Sequence, residues 1–467
     1  MQMDVYDVII IGTGPAGIFS ALELITEDIK ILMLESGNNL KRRIENRQKG
    51  ENQVMQGWGG AGSFSDGKLT LTAYVGGFLA DYLPLRALEE LIKEIEDIYL
   101  EFGASTDRLL TGEGENISTA RKNALKSGIT LIPYRLLHIG TDVCVEILTK
   151  MYEFLIHTTK VTINFNETAK KVIINEKNIH GVITDKGEYW GENIIMATGR
   201  SGAAWMRKVA IELGLTMESN PVDIGVRVEV PAEICSHLTD LVHEFKAKYY
   251  SPTFEQECRT FCVCPKGVVT KEVVYDPETN EKWITVNGHS YSSKERETPN
   301  TNFALLVSSR FTEPFDDPLA YGRSVSKLAN LLTNGNVIVQ RLSDLKRGRR
   351  SNYERIRRSA ISPTLKDAIP GDLSFVLPYR HLCSVLEMIE ALDAIIPGVN
   401  SNNTLLYGVE TKYYSNKLKL TEELETEIKG LYAIGDGAGV TRSLVQASIS
   451  GLVAARSIKK KLKMELI

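Results

Sequence analysis

The chain has 467 residues, 43% of them hydrophobic, and a formal net charge of −4. That length predicts more than one domain with a sizeable core, and the near-balance of charge excludes a strong electrostatic case for a nucleic-acid or membrane-surface partner. Six cysteines in so long a chain do not make a disulfide scaffold, and no apolar run reaches the length of a membrane span or signal-peptide core, so a cytoplasmic location is the expectation.

The first element is "VYDVIIIGTGPAGIFSALELI". Its β-branched run Val8–Ile11 reads as a parallel strand covered on both faces. Gly12, Gly14 and Gly17 then form G-x-G-x-x-G, with Thr13, Pro15 and Ala16 between them. Gly12 permits the sharp turn, Gly14 lets a diphosphate approach the backbone, and Gly17 lets the helix pack on the strand. The helix N-terminus offers N–H groups and a positive dipole end to the anion. The next strand, "IKILMLES", ends on Glu35 and Ser36. An acid about 20 residues beyond the glycines suits adenosine ribose hydroxyls and disfavours a 2′-phosphate, so FAD or NAD fits and NADP does not.

A basic "LKRR" follows, with Arg43 placed to reach the diphosphate. Then comes "QGWGGAGSFSDGKLTLT", too rich in glycine for a helix or strand interior. It lacks the strand–turn–helix frame of the first motif. Residues 79–119 read as a helical and loop excursion. In "HIGTDVCVEIL", His138 precedes a helix start at Thr141 or Asp142. "VTINFNE", "AKKVIINEKN" and "IHGVITDKGEYWG" alternate and turn like a three-stranded meander. The strand of "GENIIMATGRSG" follows, ending in Ala197, Thr198 and Gly199.

Residues 205–404 read as a substrate or cap domain with strands "DIGVRVEVP", "CRTFCVCPKGVVTKEVVY" and "NFALLVSSRF". Near the end, "GLYAIGDGAGVTRSLVQASISGLVAARSI" gives a short strand, a turn through Gly435, Asp436, Gly437 and Gly439, and an apolar-periodic helix. The first and last strands belong to one doubly wound sheet, so the cofactor domain is discontinuous: 1–78, 120–204 and 405–467.

The motifs "GGAGSFSDGKLT", "IGVRVEVP", "CRTFCVCPKG", "SSRFTEPF", "VQRLSDL", "YGVETK" and "GLYAIGDGAG" together resemble a family of uncharacterised FAD-dependent dehydrogenases of bacteria and archaea. The family is similar to flavoproteins with the glutathione-reductase type of FAD-binding fold, and the motifs run from the first strand to the last helix. The resemblance implies an α/β chain with a Rossmann-like FAD-binding domain (a doubly wound parallel sheet plus β-meander) and an inserted α+β substrate or cap domain. It implies that Asp436 holds the ribityl chain and that the following helix points its N-terminus at the flavin. It implies that Ala197–Gly199 pass the diphosphate and that Ala169 or its neighbours meet the adenine. Gly59, Gly60, Ala61, Gly62, Ser63, Asp66, Gly67 and Lys68 would frame the ring, and "YGVETK" would pass near it, which makes Glu410 and Lys412 candidates.

No His or Cys lies in either main glycine motif, so the FAD is expected to be non-covalent. A second complete G-x-G-x-x-G is missing. NAD(P)H as an external reductant would therefore have to visit the substrate side, unless a redox partner protein supplies the electrons. Candidate catalytic side chains are Lys68, His138, Arg310, Glu410 and Lys412. Arg310, like Arg227 and Arg259, sits in or at the end of a strand, where an arginine needs an anionic partner. Tyr379 and His381 are weaker candidates. Cys262 and Cys264 would share one face of a strand, with Cys258 joining them if the strand is regular. No second Cys or His cluster lies nearby to complete a metal's ligand set, so no metal site is expected. Same-face thiols two apart are splayed with poor disulfide geometry. Packed sheet cysteines are the expectation and a functional thiol over the flavin the alternative. The basic run 345–359 reads as a solvated face. The expected activity is hydride transfer between flavin N5 and a small organic substrate, an anionic one being allowed for by the arginines. The alternatives are a flavin monooxygenase and a flavin electron-transfer module serving a partner protein.

Overall fold

A computed structural model describes all residues except 1–4, 49–55, 65–66, 219, 277–280, 291–293, 313, 316, 413–416 and 466–467. The chain divides into two compact units, Met1–Leu109 with Arg135–Asn220 and Ser415–Ile467, and Leu110–Tyr134 with Pro221–Tyr414. The division differs from the sequence-based one in four segments, one of them residues 205–220, expected in the substrate domain but part of the first unit. Residues 120–134 and 405–414, expected in the cofactor domain, pack with the second unit, and most of the 79–119 excursion packs with the first.

The first unit is built on a parallel sheet. Strand β1 (Val5–Ile11) leads through a glycine turn into helix α1 (Pro15–Leu24), and β2 (Ile31–Glu35), β3 (Val161–Phe165), β4 (Glu188–Met196) and β5 (Leu431–Ala433) complete it. The spatial order is β3-β2-β1-β4-β5. Val8 to Ile11 and the whole of β2 are buried, which is why they read as unbroken apolar runs. The strand "VTINF" is a correction. It pairs parallel with β2 at the sheet edge, Ile31 opposite Val161, and does not belong to the meander. The antiparallel meander is made by Ala169–Asn175, Asn178–Thr184 and the first third of β4. The last third of β4 hands over to β5, with Ile194 opposite Leu431.

Helix α2 (Leu444–Glu465) lies against α1. Close approach is possible because residue 451 is glycine. A Cβ there would stand 2.3 Å from the Ala16 carbonyl oxygen. The Ser20 hydroxyl donates to the Gly451 carbonyl at 3.2 Å, satisfying a polar group in this tight seam.

The second unit is a largely antiparallel eight-stranded sheet. Val222–Pro231 runs through it, flanked by Asn300–Ser309 and Leu405–Lys412. Ile129–Ile132 forms one edge, which is how residues 110–134 join this unit. Helix Tyr379–Leu392 packs its buried Val385, Met388, Ile389 and Leu392 into the same core as Val226, Val228, Leu305 and Leu406. Among the described residues, no helix is long and apolar enough to cross a membrane.

Candidate cofactor and substrate sites

The turns that follow β1, β2, β4 and β5 meet at the carboxyl ends of the parallel strands, where doubly wound sheets bind ligands. Backbone bonds stitch them together: Gly12 N–H to Leu34, Ala197 N–H to Ile11 and Ile434 N–H to Met196, at 2.8, 2.8 and 3.0 Å. Gly12 has φ +110°, and a Cβ on it would stand 2.3 Å from the Ala197 oxygen. A Cβ on Gly17 would stand 2.0 Å from the Gly12 oxygen. Gly14 differs from both. A Cβ there finds nothing closer than the Gly60 Cα at 4.0 Å. Gly14 caps α1 without a side chain, with Pro15 as the first helical residue, so no side chain competes for the helix-terminal N–H groups.

Glu35 is buried and organises the next layer. Its Oε2 accepts from the Thr13 N–H and hydroxyl at 3.0 and 2.8 Å. Its Oε1 accepts from the Gly37 and Gly57 N–H groups at 2.8 and 2.9 Å. Ser36 lies exposed beside it. Arg43 is also buried, and its Nη1 donates to the carbonyls of Gly57, Trp58 and Gly60 at 3.3, 2.5 and 3.0 Å. Burial draws this guanidinium down to about 10, against the pull of Glu35. Its Nη1 thus clamps the second glycine loop. That loop docks on the first: the Gly59 N–H donates to the Thr13 carbonyl at 2.8 Å. A Cβ on Gly62 would meet Leu444 Cδ2 at 2.2 Å and Pro15 Cγ at 3.7 Å, so residue 62 sits between the starts of α1 and α2. Gly60 and Ala61 lie in the short helix Gly60–Phe64, the Ser63 side chain is among those left undescribed, and Asp66 lies outside the described residues. Trp58 anchors the loop from below, its Nε1–H donating to the Leu148 carbonyl at 2.9 Å. Sequence reasoning missed Gly37 and Gly57 because their need for glycine comes from each other. A Cβ on Gly37 would lie 2.4 Å from the Gly57 nitrogen.

The other two turns abut. A Cβ on Gly437 would stand 2.7 Å from the Gly199 oxygen and 3.0 Å from Thr198 Oγ1. Gly435 and Gly439 take φ +73° and +74°. Asp436 accepts from the Thr441 hydroxyl at 2.8 Å, and Arg200 Nε lies 3.6 Å from it. Burial pushes the Asp436 carboxyl up, against Arg200 and Thr441. Arg200 carried no motif and was not singled out from sequence. Thr198 Oγ1 is buried with no hydrogen-bond partner among the described residues. An orphaned hydroxyl, a bare glycine at a helix start and a carboxylate at the opposite turn fit an extended polar ligand with an anionic middle, as FAD is. Ala169, at the start of its strand, is buried, and the nearby Glu167 N–H donates to the Glu35 carbonyl at 2.9 Å.

Two catalytic candidates are brought together in the first unit. Lys68 and His138 are directly opposed in the antiparallel pair Lys68–Leu71 and Arg135–His138, which puts them on one face. The Gly67 carbonyl accepts from Ile139 N–H at 3.0 Å, and Gly67 needs its φ of +64° to turn here.

The remaining candidates lie in the second unit. Glu410 is fully buried and takes a bidentate pair of bonds from Arg227 Nε and Nη2 at 2.8 and 3.0 Å. Burial opposes the Arg227 charge, but Glu410 outweighs it and holds the guanidinium above its ordinary value. Arg227 Nη1 donates to Asn302 Oδ1 at 2.7 Å and to the Cys262 carbonyl at 3.1 Å. Lys412 Nζ lies 3.4 Å from Glu410 and 3.1 Å from Glu272. Arg310 stands exposed just beyond its strand. Arg227 thus has a buried anionic partner, and that partner is internal; the same holds for Arg259. Arg259 pairs with Asp223. Gly288 was not legible as part of this cluster. A Cβ on it would stand 2.0 Å from Arg227 Nη1 and 2.3 Å from Asn302 Oδ1.

The cysteine strand departs from expectation. The pairing shifts register between Phe261 and Cys264, and Cys262 takes φ +43°. This bulge brings the Cys262 and Cys264 sulfurs to 3.9 Å, so the thiols are not splayed. Much of the basic run is used locally: Arg349 pairs with Asp344, Lys346 with Glu390, and Arg350 donates to the Pro370 carbonyl.

His381 is a packed histidine. It is 4% exposed, with Nε2 3.0 Å from the Ser309 hydroxyl. Burial, helped by Arg380, lowers it to about 4. Between that value and the ordinary 6.5 the unfolded chain binds a proton that the folded one does not. Stability contributed by this group is therefore present above pH 6.5 and lost as pH falls toward 4, by about 2–3 kcal/mol. His381→Asn should flatten the fall in melting temperature over that range, measured by thermal melts at stepped pH.

Residues 221–413 match the family described as "FAD-dependent protein, C-terminal domain-like". Over 97% of this chain and 80% of its own length, an uncharacterized protein of Clostridium beijerinckii is 25% identical. Among solved structures, L-proline dehydrogenase from P. horikoshii aligns at 11% identity and a TM-score of 0.42, over 98% of this chain and 95% of that one. Glycine oxidase from Geobacillus kaustophilus aligns at 11% identity and a TM-score of 0.38 over the same shares.

Proposed function

We propose that this chain, whose second unit matches the C-terminal domain of the FAD-dependent proteins, is a FAD-dependent oxidoreductase acting on a small organic substrate. The observation that carries this reading is the convergence of four turns, at residues 12–17, 35–37, 197–199 and 435–439, around a bare Gly14 and the orphaned Thr198 hydroxyl. FAD, when bound, supplies the two-electron chemistry. The chain's own residues bind and orient it. Gly12–Gly17 and the start of α1 would hold the diphosphate, and Glu35 the adenosine ribose. The backbone near Ala169 would meet the adenine, and Asp436 the ribityl chain. Gly59–Gly62 brace the first glycine turn from the other side. Lys68 and His138, opposed on adjacent strands, are the pair suited to holding charge or moving a proton near the reacting end. Glu410 is committed to Arg227, so its role is to fix the sheet beside Lys412.

Purified protein is expected to carry visible flavin absorbance, released by denaturation as free FAD. Anaerobic mixing with a panel of small organic acids, amines and NAD(P)H should then bleach the flavin with one class of compound and not with the rest. Protein that neither carries nor takes up FAD overturns the reading. Bleaching only by a reduced protein partner would replace the small substrate with a relay.

A further inference from the structure

We propose that Cys262 and Cys264 form a redox dithiol that hydroperoxides oxidise to an intramolecular disulfide. The site lies wholly within the second unit and does not depend on the flavin. A regular strand would point residues two apart along the same face without contact. Here the bulge and the φ of +43° at Cys262 turn the two sulfurs toward each other, to 3.9 Å. The Cys264 thiol also lies 3.6 Å from the Cys262 carbonyl, and Arg227 Nη1 holds that carbonyl at 3.1 Å and lies 3.9 Å from Cys264 Sγ. Arg227 is itself fixed by Glu410 and Asn302. A guanidinium locked beside two touching thiols is the electropositive setting that produces a reactive thiolate. Cys262 is half-buried and Cys264 buried, so the outer sulfur can be reached while the inner one is kept for resolution. The Cys264 S–H contact draws Cys262 down to about 6; burial opposes this, Arg227 assists it, and Glu244 and Glu410 oppose it. Lys246 pairs with Glu244, and Lys412 lies beside Glu410, so both acids are partly offset. Cys264 moves the opposite way, up, as the proton holder of the pair.

The chemistry balances with a hydroperoxide as the oxidant. The Cys262 thiolate attacks the nearer peroxide oxygen, an S–O bond forms and the O–O bond breaks. Hydroxide or an alkoxide leaves and takes up a proton. Cys264 sulfur then attacks the sulfenic sulfur of Cys262. The S–S bond forms, the S–O bond breaks, and the departing hydroxide takes the Cys264 proton as water. Two thiols lose two electrons and the peroxide gains them. The sulfurs must close from 3.9 Å to about 2.0 Å, a short-range movement of side chains already in contact.

The test uses the full-length protein as purified, treated with hydrogen peroxide, alkylated and mapped by peptide mass. The expected product is a Cys262–Cys264 link, lost on treatment with dithiothreitol. Cys264→Ser should instead leave a sulfenic acid at Cys262 that dimedone captures. Cys262→Ser should consume peroxide about tenfold more slowly or worse. Cys258, fully buried with its thiol pushed up, should stay unmodified. Alkylation of Cys262 in the untreated protein should reach half its maximal rate near pH 6. Peroxide that oxidises Cys383 first, or takes Cys262 to sulfinic acid without a link, overturns the proposal. So does a Cys262 alkylation rate that rises only above about pH 8. None of these readouts involves the flavin, so a chain without FAD leaves this test intact.

Discussion

Gly14→Glu is expected to give a folded protein that purifies without FAD. The two neighbouring motif glycines cannot separate these properties. A side chain on Gly12 or Gly17 runs into backbone oxygens at 2.3 and 2.0 Å, so either substitution would damage the turn itself. Gly14 has φ −75° and ψ −177°, an extended conformation open to any residue, and 4.0 Å of clearance from the Gly60 Cα. The new carboxylate would occupy the start of α1, where the dipole favours it, and would exclude the diphosphate by volume and by like charge. Far-UV circular dichroism and the unliganded melting temperature should match those of apo wild type within a few degrees. FAD affinity should fall by at least about a hundredfold, the loss of roughly 3 kcal/mol from one buried charge-assisted contact. Normal FAD retention would place the diphosphate elsewhere.

Arg227→Met should be among the most damaging single substitutions in the second unit. It leaves Glu410 fully buried without its bidentate partner and frees Asn302 Oδ1 and the Cys262 carbonyl. Removing one member of a buried ion pair costs about 3–5 kcal/mol. Lys412, 3.4 Å from Glu410, recovers part of that by moving closer. The double substitution Arg227→Met with Glu410→Met removes both charges and should restore much of the loss, because an apolar pair of similar volume avoids the desolvation cost. Denaturant unfolding followed by tryptophan fluorescence measures both. Trp283 reports on this unit, and Trp58, Trp190 and Trp205 on the first, so substituting those three with Phe isolates the second unit's transition. Equal destabilisation in the single and double variants would show that shape, not charge, sets the requirement.

The cofactor frame was legible because local rules write it. A buried strand, glycines at fixed spacing, and an acid at the next strand end all fall within a few dozen residues. The turn at Gly435–Gly439 was legible for the same reason. The strand "VTINF" was misread because it is the edge of the sheet. None of its residues is fully buried and Thr162 is exposed, so its sequence lacks the unbroken apolar run of an inner strand and reads like a meander strand although its pairing is parallel. Arg43 was assigned to the diphosphate from its position in sequence, but its Nη1 turns to the carbonyls of Gly57, Trp58 and Gly60, more than a dozen residues on. The thiol pair was hidden by the assumption of a regular strand, since nothing in "CRTFCVCPKG" announces a bulge. Gly288 and Asn302 were invisible because their meaning lies in filling and emptying space around one distant guanidinium.

The place of β5 in the parallel sheet bears on how the protein is made. Residues Ile194–Met196 of β4 take their second partner from Leu431–Ala433, beyond the whole stretch Pro221–Tyr414. A ribosome delivers the second unit before it delivers that partner. Domains fold as units as they emerge, at about 5–20 residues per second, so one edge of the parallel sheet stays open for tens of seconds while the second unit is made, and for a few seconds after that unit is complete. On the proposed reading of Gly435 and Asp436 as FAD contacts, flavin loading waits for those residues to emerge, and until then the open edge is the point at which a chaperone or a stray strand would engage the newborn chain.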